Sequence, residues 1–125
     1  MMLKIRPDVD KAKALLRMAE ITLQRLETTE KEKYPSNTLC DYYDSIHKIM
    51  DARALSDGIK IKGEGAHQEL IEYMKKKRYI DEKTRTFLQE MREYRNRITY
   101  ERFSINMAYV KQYASTIQDI IKRLQ

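Results

Sequence analysis

All three glycines of this chain lie between residues 58 and 65, and its only two prolines stand at positions 7 and 35. The strongest breakers of regular structure are therefore confined to three places. The long stretches between them carry apolar residues at helical spacing. That combination points to an all-α fold with few turns. Hydrophobic residues make up 42% of 125 residues, enough for one domain over 1–125 with its own core.

Five helices are expected. The first follows Pro7, takes Asp8 as its N-cap and runs to about Lys31, with Ala12, Leu15, Leu16, Ala19, Leu23 and Leu26 as its apolar stripe. Tyr34-Pro35-Ser36-Asn37 interrupts it, because the residue before a proline avoids helical backbone. Asn37 or Thr38 then caps a second helix over about 38–57, with Leu39, Tyr43, Ile46, Met50 and Ala54 on one side and Gly58 at its C-terminal cap. The segment from Gly58 to Gly65 reads as a connector. It lacks the Lys-Ser/Thr ending of a phosphate-binding loop. A short third helix covers about 66–77 and ends in Lys75-Lys76-Lys77-Arg78, cations that suit a helix C-terminus. Asp81 caps a fourth over about 82–100. Ser104 or Asn106 starts a fifth, where Met107, Val110, Ala114, Ile117, Ile121 and Leu124 form a heptad-like seam.

Several function classes are disfavoured at this level. No apolar run of about 18 residues exists, so no membrane span is expected. The opening Met1-Met2-Leu3-Lys4-Ile5-Arg6 has no apolar signal core and is read as the start of a cytoplasmic protein. Cys40 has no partner for an internal disulfide and reads as a small buried hydrophobe. One Cys and two separated His give no zinc pattern, and neither a nucleotide-binding glycine motif nor a carboxylate cluster is present, so no metal and no cofactor are expected. Charge is more informative. The formal net charge is +6, and residues 75–102 hold ten basic side chains against five acidic ones, a distribution that favours polyanions. The plainer reading of such a run is a solvated helix face.

Within that basic third, Arg95-Asn96-Arg97-Ile98-Thr99-Tyr100-Glu101 stands out. On a wheel of about 100° per residue, Phe87, Leu88, Met91, Tyr94 and Ile98 define the buried side of the fourth helix. Arg95 and Arg102 fall at its edge, and Arg92, Asn96, Thr99 and Arg85 continue around the same flank. A guanidinium beside an apolar surface binds phosphate in a bidentate manner and gains from the lower local dielectric. The competing assignment pairs Arg95 with a carboxylate, Asp44, Asp51 or Glu101.

Two blocks carry a family resemblance. Tyr42-Tyr43-Asp44-Ser45-Ile46-His47-Lys48-Ile49-Met50-Asp51-Ala52-Arg53-Ala54-Leu55, then Gly58, then His67-Gln68-Glu69-Leu70-Ile71, resembles the YYAxFHAARALL…G…H..LI pattern of HEPN domains (higher eukaryotes and prokaryotes nucleotide-binding). Tyr94-Arg95-Asn96-Arg97-Ile98-Thr99-Tyr100-Glu101 resembles the R-N-x-x-x-H-E signature near the end of that family's fourth helix. The resemblance implies a five-helix up-and-down bundle that forms a homodimer, with the Arg-Asn motifs of two subunits meeting in one cleft. It implies binding of RNA or a nucleotide. In many members it implies metal-independent RNA cleavage, often by a toxin paired with a small nucleotidyltransferase.

Arg95 and Asn96 match the motif, with Arg92 and Arg102 as further phosphate-binding candidates. Tyr100 takes the position of the motif His, and Glu101 matches the residue after it. This departure matters chemically. A His near pKa 6.5 can take or give a proton at neutral pH, whereas a Tyr near pKa 10 is ionised to roughly one part in a thousand at pH 7. On one continuous helix, moreover, Arg95 and Tyr100 lie about 140° apart. His47 on the second helix is the auxiliary candidate, although a packing role is the commoner one for such a residue. His67 reads as a surface or capping residue. Tyr73, Tyr79, Tyr94, Tyr100 and Tyr109 are candidates for base stacking, with core filling as the ordinary account. The leading expectation is an RNA- or nucleotide-binding homodimer whose nuclease activity is weak or lost. An active ribonuclease toxin and a structural or partner-binding bundle are the alternatives.

Overall fold

Three short polar side chains start three helices. Asp8 accepts the Lys11 N–H at 3.1 Å and opens α1 (Val9–Glu27). Asp81 accepts the Thr84 N–H at 2.8 Å and opens α4 (Glu82–Tyr100). Asn106 accepts the Tyr109 N–H at 3.1 Å and opens α5 (Met107–Leu124). Each such cap stabilises its helix by about 1 kcal/mol. The other two helices are α2 (Pro35–Ser56) and α3 (Ala66–Lys76). These come from a computed structural model that describes residues 1–125. The fold is all-α, a bundle of five helices, and no helix is long and apolar enough to cross a membrane.

Boundaries differ from expectation around residues 28–38. α1 stops at Glu27 and does not reach Lys31. The Thr28 and Thr29 hydroxyls both donate to the Arg25 carbonyl, at 3.0 and 2.9 Å, and compete with the helical ladder there. α2 starts at Pro35, ahead of Asn37 and Thr38, neither of which caps it. A proline at the first helical position loses no ladder hydrogen bond, because that N–H has no partner anyway. Thr38 is instead buried, its hydroxyl donating to the Lys31 carbonyl at 3.0 Å.

The glycine segment is more than a connector. Met2–Lys4 (β1) pairs antiparallel with Ile59–Ile61 (β2), Leu3 opposite Lys60. Gly58, just past the α2 cap residue Asp57, makes this possible. Its φ is +79°, and a Cβ there would stand 2.8 Å from the Ile5 carbonyl oxygen.

α2 is the central helix and touches each of the other four. Its predicted face of Leu39, Tyr43, Ile46, Met50 and Ala54 is fully buried, and Tyr42, Ile49, Ala52 and Leu55 are buried on other sides. α1 covers it with Ala12, Ala19 and Leu26, while Leu16 stays largely exposed. α4 contributes Leu88 and Met91, and α5 contributes Val110, Ile117, Ile120, Ile121 and Leu124. Met107, expected in the α5 seam, is 46% exposed, and Ile120 is buried in addition to that seam.

Candidate phosphate-binding face of α2, α3 and α4

Helical spacing sets polar side chains side by side along one edge of the core. On α2, Cys40, Asp44, His47 and Asp51 recur at intervals of three and four, and Tyr43 lies one turn before His47. On α4, Arg92, Arg95, Asn96 and Thr99 do the same. α3 adds His67, near its N-terminus. The helices pack so that these strips meet.

Arg95 is at the centre. Its side chain is 21% exposed, and its Nε lies 3.3 Å from Asp44 Oδ1. Its Nη1 donates a long hydrogen bond, 3.4 Å, to Asn96 Oδ1. Of the three carboxylates considered as partners, Asp44 is the one that pairs. A half-exposed pair of this kind contributes roughly 0–1 kcal/mol and leaves Nη atoms open. Arg92, 16% exposed, donates from Nε to Gln89 Oε1 at 2.8 Å, and its nearest carboxylate, Glu93, is 3.9 Å from Nη2. Neither guanidinium is saturated.

Beside them, His47 and His67 stack with ring centroids 3.8 Å apart, and the Tyr43 hydroxyl meets His67 Nδ1 at 3.1 Å. Burial, then repulsion from His67 whenever that ring is protonated and from the Lys48 and Arg95 cations, holds the His47 pKa down to about 3. Burial and Arg95 also lower that of His67, with Asp44 opposing. Burial raises the Tyr43 phenol and the Cys40 thiol. Both imidazoles are therefore neutral at pH 7, the phenol and thiol are protonated, and the guanidiniums carry the charge.

The expected site residues divide. Arg95, Asn96, Arg92 and His47 share this face. Tyr100, Glu101 and Arg102 do not. α4 continues without a break to Tyr100, so the wide angular separation from Arg95 stands, and Tyr100 is 74% exposed. Glu101 is the cap residue after the helix, its N–H donating to the Arg97 carbonyl. Arg102 has left the helix with φ at +54°, so the helical wheel no longer places it. Arg85 is bound by Glu72 and Glu82.

His67 corrects the surface or capping assignment. Gly65 is the residue that caps α3, and the His67 ring packs inward on Tyr43 and His47. The only sequence signal for that was its place in the resemblance pattern. Of the Lys75–Arg78 run, Lys75 and Arg78 line a cavity of about 420 Å3 that Asp81, Glu82 and Arg123 also line. Acid and base are mixed there, so it is a poorer anion site than the Arg95 face. The aromatic residues Phe87, Tyr94, Phe103, Tyr109 and Tyr113 pack in a chain along α4 and α5, with the Arg97 guanidinium 3.9 Å above Phe103. Tyr73 and Tyr79 both donate to Asp57, at 2.8 and 2.7 Å, a tie between α2 and the end of α3. No three His, Cys, Asp or Glu side chains converge as a metal site. No family model matches the sequence, and neither a curated protein nor a solved structure matches it.

Proposed function

We propose that this chain is a HEPN-like protein that binds RNA or a nucleotide through Arg95, with Asn96 and Arg92 beside it. One observation carries the reading. Two sheltered, unsaturated guanidiniums sit next to neutral imidazoles at the edge of the core, an arrangement suited to a phosphate and poorly explained by stability. The resemblance adds a homodimer in which the Arg95 motifs of two copies share a cleft, and pairing with a nucleotidyltransferase. Nuclease activity is weak or absent in this reading. Tyr100 stands in the position of the motif His, is exposed on a continuous helix, and is a poor base at neutral pH.

Titration of purified protein with end-labelled structured RNA, in excess EDTA and over a range of salt, tests it. Wild type is expected to bind with strong salt dependence and Arg95→Ala to lose most of the affinity. Salt-insensitive or absent binding overturns the reading. The same samples report any cleavage, which would favour an active ribonuclease toxin. The structural or partner-binding bundle is favoured by one observation, the Arg95–Asp44 ion pair, and predicts no RNA binding at all.

A further inference from the structure

Two histidines are present in the whole chain, and they stack on each other. They come from different helices, α2 and α3, so no local pattern forces the meeting. Of their four ring nitrogens, only His67 Nδ1 has a hydrogen-bond partner, the Tyr43 hydroxyl. No buried side-chain nitrogen or oxygen in the molecule lacks a partner. None of the three unpaired nitrogens is therefore fully shut off from solvent.

The Tyr43 hydroxyl serves either state of His67. It donates to Nδ1 of the neutral ring and accepts from it once both nitrogens carry protons. What opposes protonation is burial and the neighbouring cations. The groups facing the pair are Tyr43, Asp44, Lys48 and Asp51 from α2 and Arg92 and Arg95 from α4. Lys11 and Lys60 act on Asp51 in turn. A phosphate resting on Arg92 and Arg95 cancels the field of those two cations at His67. A protonated His67 can then donate from Nε2, the nitrogen with no partner in the free protein, and such charge-assisted bonds are the strong ones.

We propose that His67, stacked on His47 and oriented by Tyr43, is a ligand for the bound phosphate group and takes up a proton when it binds. This rests on the phosphate reading of the Arg95 face and adds a third contact to it. The protein then holds phosphate groups more tightly at mildly acidic pH.

The probe is a short oligouridylate with hydroxyl groups at both ends, which has no titrating phosphate or base in the working range. Its affinity is measured at fixed salt at about pH 8 and about pH 6, a span that brackets the ordinary histidine pKa. Wild type is expected to bind about 5–10-fold more tightly at the lower pH, well within the roughly hundredfold over two units that one linked proton allows. Calorimetry in buffers of different ionisation enthalpy should show proton uptake on binding. His67→Gln, which keeps a hydrogen-bonding side chain but no titration, is expected to bind with the same affinity at both pH values, below that of wild type at the lower one. His47→Gln is expected to retain it. Binding that depends on Arg95 yet does not change with pH, or a His67→Gln protein that keeps the full dependence, overturns this inference and leaves the phosphate reading standing. Absence of binding at both pH values overturns both. A nucleoside monophosphate, whose own phosphate titrates, run alongside separates a nucleotide ligand from an RNA backbone by its relative affinity.

Discussion

Arg85 and Arg95 sit on the same helix, about 80° apart around its axis, and they do different work. Arg85 is held on three of its nitrogens: Nε and Nη2 donate to Glu82, and Nη1 to Glu72 at 3.2 Å. Those carboxylates raise its already high pKa further. Arg95 has one carboxylate at 3.3 Å, without hydrogen-bond alignment, and one long bond to Asn96. The first arginine is spent on packing α4 against α3. The second is available. The difference comes from what the neighbouring helix brings: α3 presents Glu72 to Arg85, while α2 and α3 present one aspartate and two imidazoles to Arg95. Counting arginines along a basic helix therefore overstates the number that can meet a ligand.

The sharpest way to break the comparison is to remove each arginine in turn. Arg95→Ala is expected to weaken RNA binding by about 10–100-fold, the worth of a charge-assisted contact. Arg85→Ala is expected to change it by no more than about twofold, as an already neutralised cation should. Filter binding of both variants against wild type decides it, and equal losses would mean that only net charge matters.

Acid is expected to act on the Arg95 side. His47 is held neutral with its pKa near 3, whereas an unfolded chain titrates it near 6.5. Its folded-state pKa is the lower one, so the stability linked to the neutral ring is complete above pH 6.5 and is lost as pH falls towards 3. The slope is up to ~1.4 kcal/mol per pH unit. Thermal denaturation at stepped pH should show a steeper decline for wild type than for His47→Gln; parallel curves would rule out a buried neutral imidazole.

A smaller effect is expected from Asp44→Asn. If the aspartate competes with phosphate for Arg95, its neutralisation should tighten RNA binding by about 2–5-fold, from the 0.2–1 kcal/mol of an exposed pair. Weaker binding together with a lower melting temperature would instead make the pair structural. The smallest is Tyr100→Phe. Its hydroxyl makes no hydrogen bond within the chain, so both affinity and melting temperature should stay within error of wild type. A loss of affinity there would place Tyr100 at the ligand through a second subunit.

Much of the architecture was legible. Scarce breakers and the caps Asp8 and Asp81 located two helix starts, Asn106 was one of two residues offered for a third, and the face from Leu39 to Ala54 of the second helix is buried as expected. These are local matters: a cap acts within three residues and a helical face repeats within four. The wheel likewise placed Arg92, Arg95 and Asn96 on one strip. Less visible was the turn after α1, where two threonine hydroxyls compete with backbone bonds that the periodicity alone would have continued. The β1–β2 pairing joins segments far apart in the chain, and neither is long enough to show a strand pattern.

What the sequence by itself determined was the set of helices, the core face of each, and a basic α4 with an Arg-Asn pair at its apolar edge. What only the tertiary structure decided was which side chains face one another across helices. It selected Asp44 from three carboxylates, brought His67 onto His47 and Tyr43, saturated Arg85 and left Tyr100 in solvent. The physical reason is that a helix fixes the direction of a side chain about its own axis. The distance to a charge on another helix depends on how the two cross, and that follows from the packing of the whole core.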